Sequence, residues 1–228
     1  MVKIDLVTGF LGSGKTTFLK KYAKRLMEQG QNIGILENDF GAVNVDMMLL
    51  QELEGEQCEL EMISGGCDPE THRRRFRTKL IAMGMCGYDR VLVEPSGIYD
   101  MDEFFDVLHE EPLDQWYEIG NVIAVVDARL EDTLSPEAEY LLASQAANAG
   151  CMILSKCDTA TEEQRQNTIA HLKRSLAALG CKQRADQKIL CEGAEPLPDQ
   201  EFAAILSCGY YIASYEKPDF AKGQAFES

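Results

Sequence analysis

A chain of 228 residues with 38 acidic and 22 basic side chains carries a formal net charge of −16, and a surface that acidic excludes DNA or RNA as the main partner. The length is sufficient to bury one full α/β core. No apolar run is long enough to span a bilayer, and residues 1–8 read as a strand rather than an export signal. None of the eight cysteines forms a C-x-x-C pair, so the expected state is reduced thiol in a cytoplasmic protein without a membrane partner.

Taken in order, residues 3–8 form a short apolar strand that runs directly into Gly9-Phe10-Leu11-Gly12-Ser13-Gly14-Lys15-Thr16-Thr17. Phe18, Leu19, Tyr22, Ala23 and Leu26 then recur at helical spacing within a helix over 16–29. A second buried strand covers 32–37 and ends in the turn-prone cluster Asn38-Asp39-Phe40-Gly41. Residues 57–63 alternate loosely as a short strand, broken by Ser64-Gly65-Gly66-Cys67-Asp68-Pro69, and proline near the first turn opens a helix over 69–85. The strand over 89–94 carries Glu94 at its end, followed by Pro95-Ser96-Gly97 and a helix over 101–108. Residues 121–127 are the most continuous apolar strand. A helix over 136–149, a buried strand over 151–155, a helix over 161–179, a last strand over 188–191 and a last helix over 199–206 complete the pattern.

Near-continuous apolar strands alternating with helices predict a mainly parallel sheet covered on both faces, the three-layer α/β/α P-loop NTPase fold, over residues 1–208. Residues 209–228 are expected to be a tail rather than a separate domain. It carries three tyrosines, and both a docking strand and a frayed end are open for it.

The stretch from Gly9 to Thr16 fits G-x-x-x-x-G-K-[ST], and it sits between a strand and a helix as that motif requires. Gly9, Gly12 and Gly14 let the backbone approach a polyanion and aim N–H groups at it; Ser13 and Thr17 complete the cradle. Lys15 is expected to reach the β- and γ-phosphates and Thr16 to ligate Mg²⁺. In such sheets ligand chemistry gathers at the C-terminal strand ends, where Asp39, Glu94, Asp127 and Asp158 fall. Ser155-Lys156-Cys157-Asp158 is similar to the guanine-reading motif N-K-x-D with serine for asparagine. The Asp158 carboxylate offers two acceptors to the two donors on guanine's edge, whereas adenine presents an acceptor at the matching ring position. The Lys156 stem can lie along the base and brace the phosphate loop.

The chain resembles the GTPase domain of the CobW/HypB/UreG family, nearest its CobW-like metallochaperone branch. The resemblance rests on Thr8 through Thr17, Asn38-Asp39-Phe40-Gly41 with Val45-Asp46, Gly66-Cys67, Glu94-Pro95-Ser96-Gly97, Val125-Val126-Asp127-Ala128, Gln145 and the Ser155–Asp158 motif. It implies a slow GTP hydrolase that assists metal-centre or cofactor assembly, binding GTP and GDP and a client metalloprotein or cofactor-assembly enzyme, with a homodimer as a further arrangement. The family's metal motif G-C-x-C-C stands here as Gly66-Cys67-Asp68-Pro69-Glu70, so one thiol remains. Cys67 with Glu70 and Asp39 can make a mixed site for a transition metal, and a metal-free switch loop is the alternative reading of this stretch.

For hydrolysis, Asp39 or Glu94 completes the Mg²⁺ shell, Glu94 senses the γ-phosphate or orients water, and Gly97 offers a backbone N–H to the γ-phosphate. Three readings stay open: a metal-trafficking GTPase, a GTP switch for a protein client without a transition metal, and an ATP-dependent phosphotransferase. The dense basic run His72-Arg73-Arg74-Arg75-Phe76-Arg77 reads as a solvated helix face, a docking patch for an acidic client, or a contact to a partner subunit's phosphate.

Overall fold

The computed structural model describes residues 1–39, 45–64, 69–96, 101–181, 188–191 and 197–216. Among these, seven strands form one sheet: β1 (Val2–Thr8), β2 (Ile33–Asp39), β3 (Cys58–Ser64), β4 (Arg90–Pro95), β5 (Tyr117–Asp127), β6 (Cys151–Ser155) and β7 (Ile189–Cys191). Every pairing is parallel, in the order β3-β2-β4-β1-β5-β6-β7. From central β1 the chain builds β2 to β4 toward one edge and β5 to β7 toward the other. The loops at the C-terminal ends of β1 and β5 therefore diverge and open the crevice where α/β sheets hold ligands.

Helix α1 (Lys15–Glu28) and α8 (Asp199–Leu206) cover one face of the sheet, through Phe18, Tyr22, Phe202 and Ile205 against Val7, Ile35, Leu92, Ile123 and Ile153. On the other face lie α3 (Pro69–Gly84), α4 (Met101–Leu108), α5 (Leu113–Trp116), α6 (Pro136–Asn148) and α7 (Glu162–Ala178). Burial of the strands on both faces is why they read as apolar runs rather than alternating ones. Caps fix where the helices start. Ser135 accepts from Ala138 N with Pro136 in the first turn of α6, and Thr161 with Gln164 makes a reciprocal capping box on α7.

Two strand boundaries and two short helices depart from the sequence pattern. Strand β2 continues through Asn38 and Asp39, because β3 pairs with it as far as Asp39 opposite Ser64. Strand β5 starts at Tyr117 rather than 121, because Val2, Lys3 and Ile4 pair with Tyr117, Glu118 and Ile119 despite the polar residues there. Helices α2 (Val45–Leu50) and α5 are too short for helical periodicity to register. No helix among the described residues is long and apolar enough to cross a membrane.

One buried charge sits in the centre of the sheet. Asp5 of β1 is fully buried and accepts from Arg90 Nη1 at 2.7 and 2.6 Å, Tyr22 Oη at 2.8 Å and the Asn121 amide at 2.8 Å. The register of β1 on β5 jumps between Ile4 and Leu6, so that Gly120 and Asn121 both face Asp5. That bulge turns the Asn121 N–H onto the carboxylate, and it requires glycine at 120, where a Cβ would collide with Asp5 Oδ1. Burial, reinforced by the Asp5 carboxylate, holds the Tyr22 phenol well above its ordinary range, so it remains a donor.

Residues 208–213 close the N-terminal side of β6. Gly209 donates to Asn121 Oδ1 at 2.9 Å, Tyr211 to the Asn148 carbonyl at 2.9 Å and Ala213 to Asn148 Oδ1 at 3.0 Å, while Tyr210 stacks on Phe105. Removing the cation from the buried pair is the sharpest test of this core. Arg90→Met leaves Asp5 uncompensated and is expected to lose about 3–5 kcal/mol in urea unfolding; a loss below about 1 kcal/mol would show that the pair does not hold the sheet.

Candidate nucleotide site

The loop between β1 and α1 is built to expose backbone N–H groups. Gly9, Gly12 and Gly14 have φ of 149°, 75° and 91°. At Gly9 a Cβ would strike the Val125 carbonyl, so the loop lies flat on β5. Gly14 is the N-cap of α1 and provides no side-chain cap, and the first turn of α1 contains no acid. In contrast, α3, α4, α6, α7 and α8 each begin with Asp or Glu. Among the described helices of eight residues or more, α1 alone leaves its positive end to an external anion.

Side chains around the loop complete this arrangement. Lys15 is buried and its Nζ donates to the Phe10 carbonyl at 3.1 Å. Ser13 Oγ is buried without a hydrogen-bond partner. Thr16 Oγ1, also buried, donates to Glu94 Oε1 at 2.8 Å, whereas Thr17 points to the surface. An uncapped helix end, an unused hydroxyl and a lysine resting on a carbonyl fit a phosphate chain. The Thr16 hydroxyl beside a buried carboxylate is an all-oxygen donor set suited to a hard cation such as Mg²⁺.

The turn after β6 is bolted to this loop. Ser155 Oγ donates to the Ser13 carbonyl at 2.5 Å, and Lys156 Nζ donates to the Gly12 carbonyl at 2.6 Å and to Asp127 Oδ2 at 2.7 Å. Lys156 adopts φ 56°, a left-handed turn that directs its side chain back over the sheet end. Asp127, the last residue of β5, also accepts from Arg129 Nε at 3.2 Å and the Arg129 amide at 2.8 Å. Partial burial pushes the Asp127 carboxyl up, but the hydrogen bonds from Arg129 and Lys156 outweigh it and its pKa lies below the ordinary carboxylate value. Asp158 is exposed on the same turn, within electrostatic reach of Arg129.

Of the residues singled out in the sequence, Gly9, Gly12, Ser13, Gly14, Lys15, Thr16, Glu94, Ser155 and Lys156 thus come together, with Asp158 on the adjoining turn. Asp39 closes β2, and Cys67 and Gly97 lie outside the described residues. Glu37 was not singled out. It is 2% exposed and its register partner is Glu94, so both carboxylates project from neighbouring strands toward the α1 face. Its signal was an acid directly after the apolar run Ile33-Gly34-Ile35-Leu36, at the C-terminal end of a strand. Among the described residues no three His, Cys, Asp or Glu side chains form a metal cluster. A cavity of about 700 Å³ lies between α6 and α7, where His171 and Ser175 bond to Glu139, and it includes no residue of the loop.

The nucleotide-binding domain of the CobW/HypB/UreG family matches residues 3–182. The chain belongs to the CobW/HypB/UreG family. Among its relatives is a zinc chaperone, YjiA of Escherichia coli, 29% identical over 172 residues, covering 72% of this chain and 52% of YjiA. The zinc chaperone YeiR of the same organism is 28% identical over 167 residues, covering 73% and 50%. The chain therefore spans about half the length of these curated relatives. The crystal structure of Zn(II)-bound YjiA GTPase superposes with a TM-score of 0.52 at 21% identity, over 98% of this chain and 69% of that one. That likeness establishes the shared fold.

The lowered Asp127 pKa yields a pH test of the turn. Its ion-pair contribution to stability is present above the ordinary carboxylate range and is lost as pH falls through the depressed folded-state value. Lys156→Met removes one donor, and carboxyl NMR is expected to show Asp127 titrating at higher pH than in the parent protein. An unchanged titration would mean that Lys156 does not hold it.

Proposed function

We propose that this chain binds and slowly hydrolyses GTP as the timing step in assembling a metal centre or cofactor on a client protein. The observation that supports this most is the pair of contacts from Ser155 and Lys156 to the Ser13 and Gly12 carbonyls, which set a base-reading turn against a phosphate-binding loop. GTP phosphates would take the N–H groups of Gly12 and of residues 14–16, and Lys15 would leave the Phe10 carbonyl for the β- and γ-phosphates. Asp158 would receive the two guanine donors, with Lys156 along the ring.

Thr16 with Glu94 or Asp39 would hold Mg²⁺, which when bound neutralises charge on the phosphate oxygens. The Thr16 hydroxyl already directs its proton at Glu94, leaving its lone pairs for the metal. The remaining task of Glu94 is to orient the attacking water, and Gly97 would give an N–H to the γ-phosphate. Catalysis of this kind is positioning and charge stabilisation.

The zinc-chaperone relatives favour a transition metal as cargo at Cys67. The single thiol of Gly66-Cys67-Asp68-Pro69-Glu70 makes a mixed sulfur and oxygen site rather than a thiolate cluster. Zinc titration with Cys67→Ala as the control decides this: equal binding by both proteins would leave a GTP switch without a transition metal.

Two substitutions test the nucleotide reading. Asp158→Asn replaces two acceptors by an acceptor and a donor, so GTP is expected to weaken by about tenfold or more. Xanthosine triphosphate, which carries a carbonyl where guanine has its amino group, is expected to bind more tightly than to the parent protein. ATP binding as tight as GTP in the parent protein would overturn the guanine assignment in favour of an ATP-dependent phosphotransferase. Glu94→Gln is expected to keep nucleotide affinity while turnover falls about a hundredfold; unchanged turnover would remove Glu94 from the hydrolytic step.

A further inference from the structure

The basic run on α3, unused by the nucleotide site, divides between two sides of that helix. His72 and Phe76 face inward, with His72 Nδ1 3.0 Å from Glu103 Oε1. Arg73 and Arg77, one turn apart, gather the acids of α4 and the turn beyond it. Arg73 lies 2.6 Å from Glu110 and 3.7 Å from Asp106, and Arg77 2.9 Å from Glu110. Arg74 and Arg75 are exposed and turn the other way. With Thr78, Lys79 and Ala82 they border a groove of about 450 Å³ whose opposite wall is Met62 and Ile63 of β3. Strand β3 is an edge of the sheet, and Met62 is 39% exposed. The groove thus sets exposed Met62, with Ile63 buried beneath it, against Arg74 and Arg75, while Lys79 on the same rim is paired with Glu61 of β3 at 2.7 Å, in a chain of net charge −16.

We propose that the groove between α3 and β3 docks an acidic, extended segment of a partner protein, its apolar side chains on Met62 and its carboxylates on Arg74 and Arg75. Guanidinium groups suit carboxylates because their paired N–H donors match both oxygens, and methionine adapts to varied apolar side chains. Arg73 and Arg77 on the other side of α3 engage acids in this way, with Asp106 of α4 and Glu110 of the turn beyond it. Net repulsion between two acidic proteins does not prevent the contact, since charges beyond about 8 Å are screened at physiological salt while adjacent pairs are not. The groove also lies between the two elements that bracket Cys67 in the sequence, β3 ending at Ser64 and α3 starting at Pro69. The inference goes beyond the nucleotide reading and requires neither GTP nor a metal.

The probe is a fluorescein-labelled peptide of alternating Glu and Leu, followed by anisotropy with the full chain. Saturable binding is expected, weakened about tenfold or more by Arg74→Glu with Arg75→Glu and abolished at ~1 M salt, where the Debye length is ~3 Å. Lys173→Glu with Arg174→Glu makes the same charge change on the exposed side of α7 and is expected to leave binding within about twofold. Absence of binding to the parent protein, or equal loss in both double variants, would overturn the proposal. Unchanged GTP affinity in the Arg74 and Arg75 variant confirms an intact fold, and peptide binding by a chain that bound no GTP would sink only the nucleotide reading.

Discussion

The site depends on how the peptide planes of the phosphate loop are held. A trans peptide points its C=O and the following N–H in opposite directions, so anchoring one fixes the other. Ser155 anchors the Ser13 carbonyl and Lys156 the Gly12 carbonyl, which orients the amides of Gly14 and Ser13. The Ser13 amide closes the turn by donating to Phe10 O at 3.1 Å, and the Gly14 amide is left to the cradle. These tethers come from the end of β6 and the turn after it, more than a hundred residues further along the chain. The loop is therefore shaped by the whole sheet rather than by its glycines alone, and deleting either donor frees a peptide plane to rotate.

Serine can stand where the guanine-reading motif has asparagine because the loop lies close to the strand. A Cβ at Gly14 would be only 3.4 Å from the Ser155 side chain, so a short hydroxyl spans the gap that remains. What the position requires is a donor to the loop carbonyl, and either side chain supplies one. Alternation along the strands explains the rest of the polar cluster. Leu92, Ile123, Val125, Cys151 and Ile153 face α1, and two residues beyond them on the same side come Glu94, Asp127 and Ser155. Each strand stays apolar beneath the helix and becomes polar where it emerges at the helix N-terminus.

Much of this could be read before the fold was known, because a parallel sheet writes its strands as apolar runs and the phosphate loop is local in sequence. The contacts that assemble the site are not local, and they were legible only where a motif named both partners, as with Lys156 and the loop. Asp127 illustrates the remainder. Its position after a strand marked it as a site residue, yet nothing in the sequence says that it holds Lys156 and Arg129. Asp5 and Arg90 are 85 residues apart, and the bulge at Gly120 that completes their pairing depends on the register between β1 and β5. Short helices such as α2 and α5 offered too few turns for periodicity to register.

The acidic composition and a polyanionic ligand are reconciled by distance and by dipoles. Carboxylates more than about 8 Å from the loop act on it only weakly through salt water, and two of those at the strand ends are already engaged. Asp127 is bound by two cations and Glu94 accepts the Thr16 hydroxyl. The first turn of α1 contains Lys15 and two threonines where the other long helices place acids. Local potential at the loop is therefore set by backbone N–H groups and by Lys15 and Lys156, both of which rest on carbonyl oxygens. A carbonyl is a weaker partner than a phosphate oxygen, so when a phosphate chain arrives Lys15 gains by moving to it. Lys156, whose second partner is the Asp127 carboxylate, has no such gain and stays in place. The two lysines thus divide the work, one moving to the ligand and the other holding the surface to which it binds.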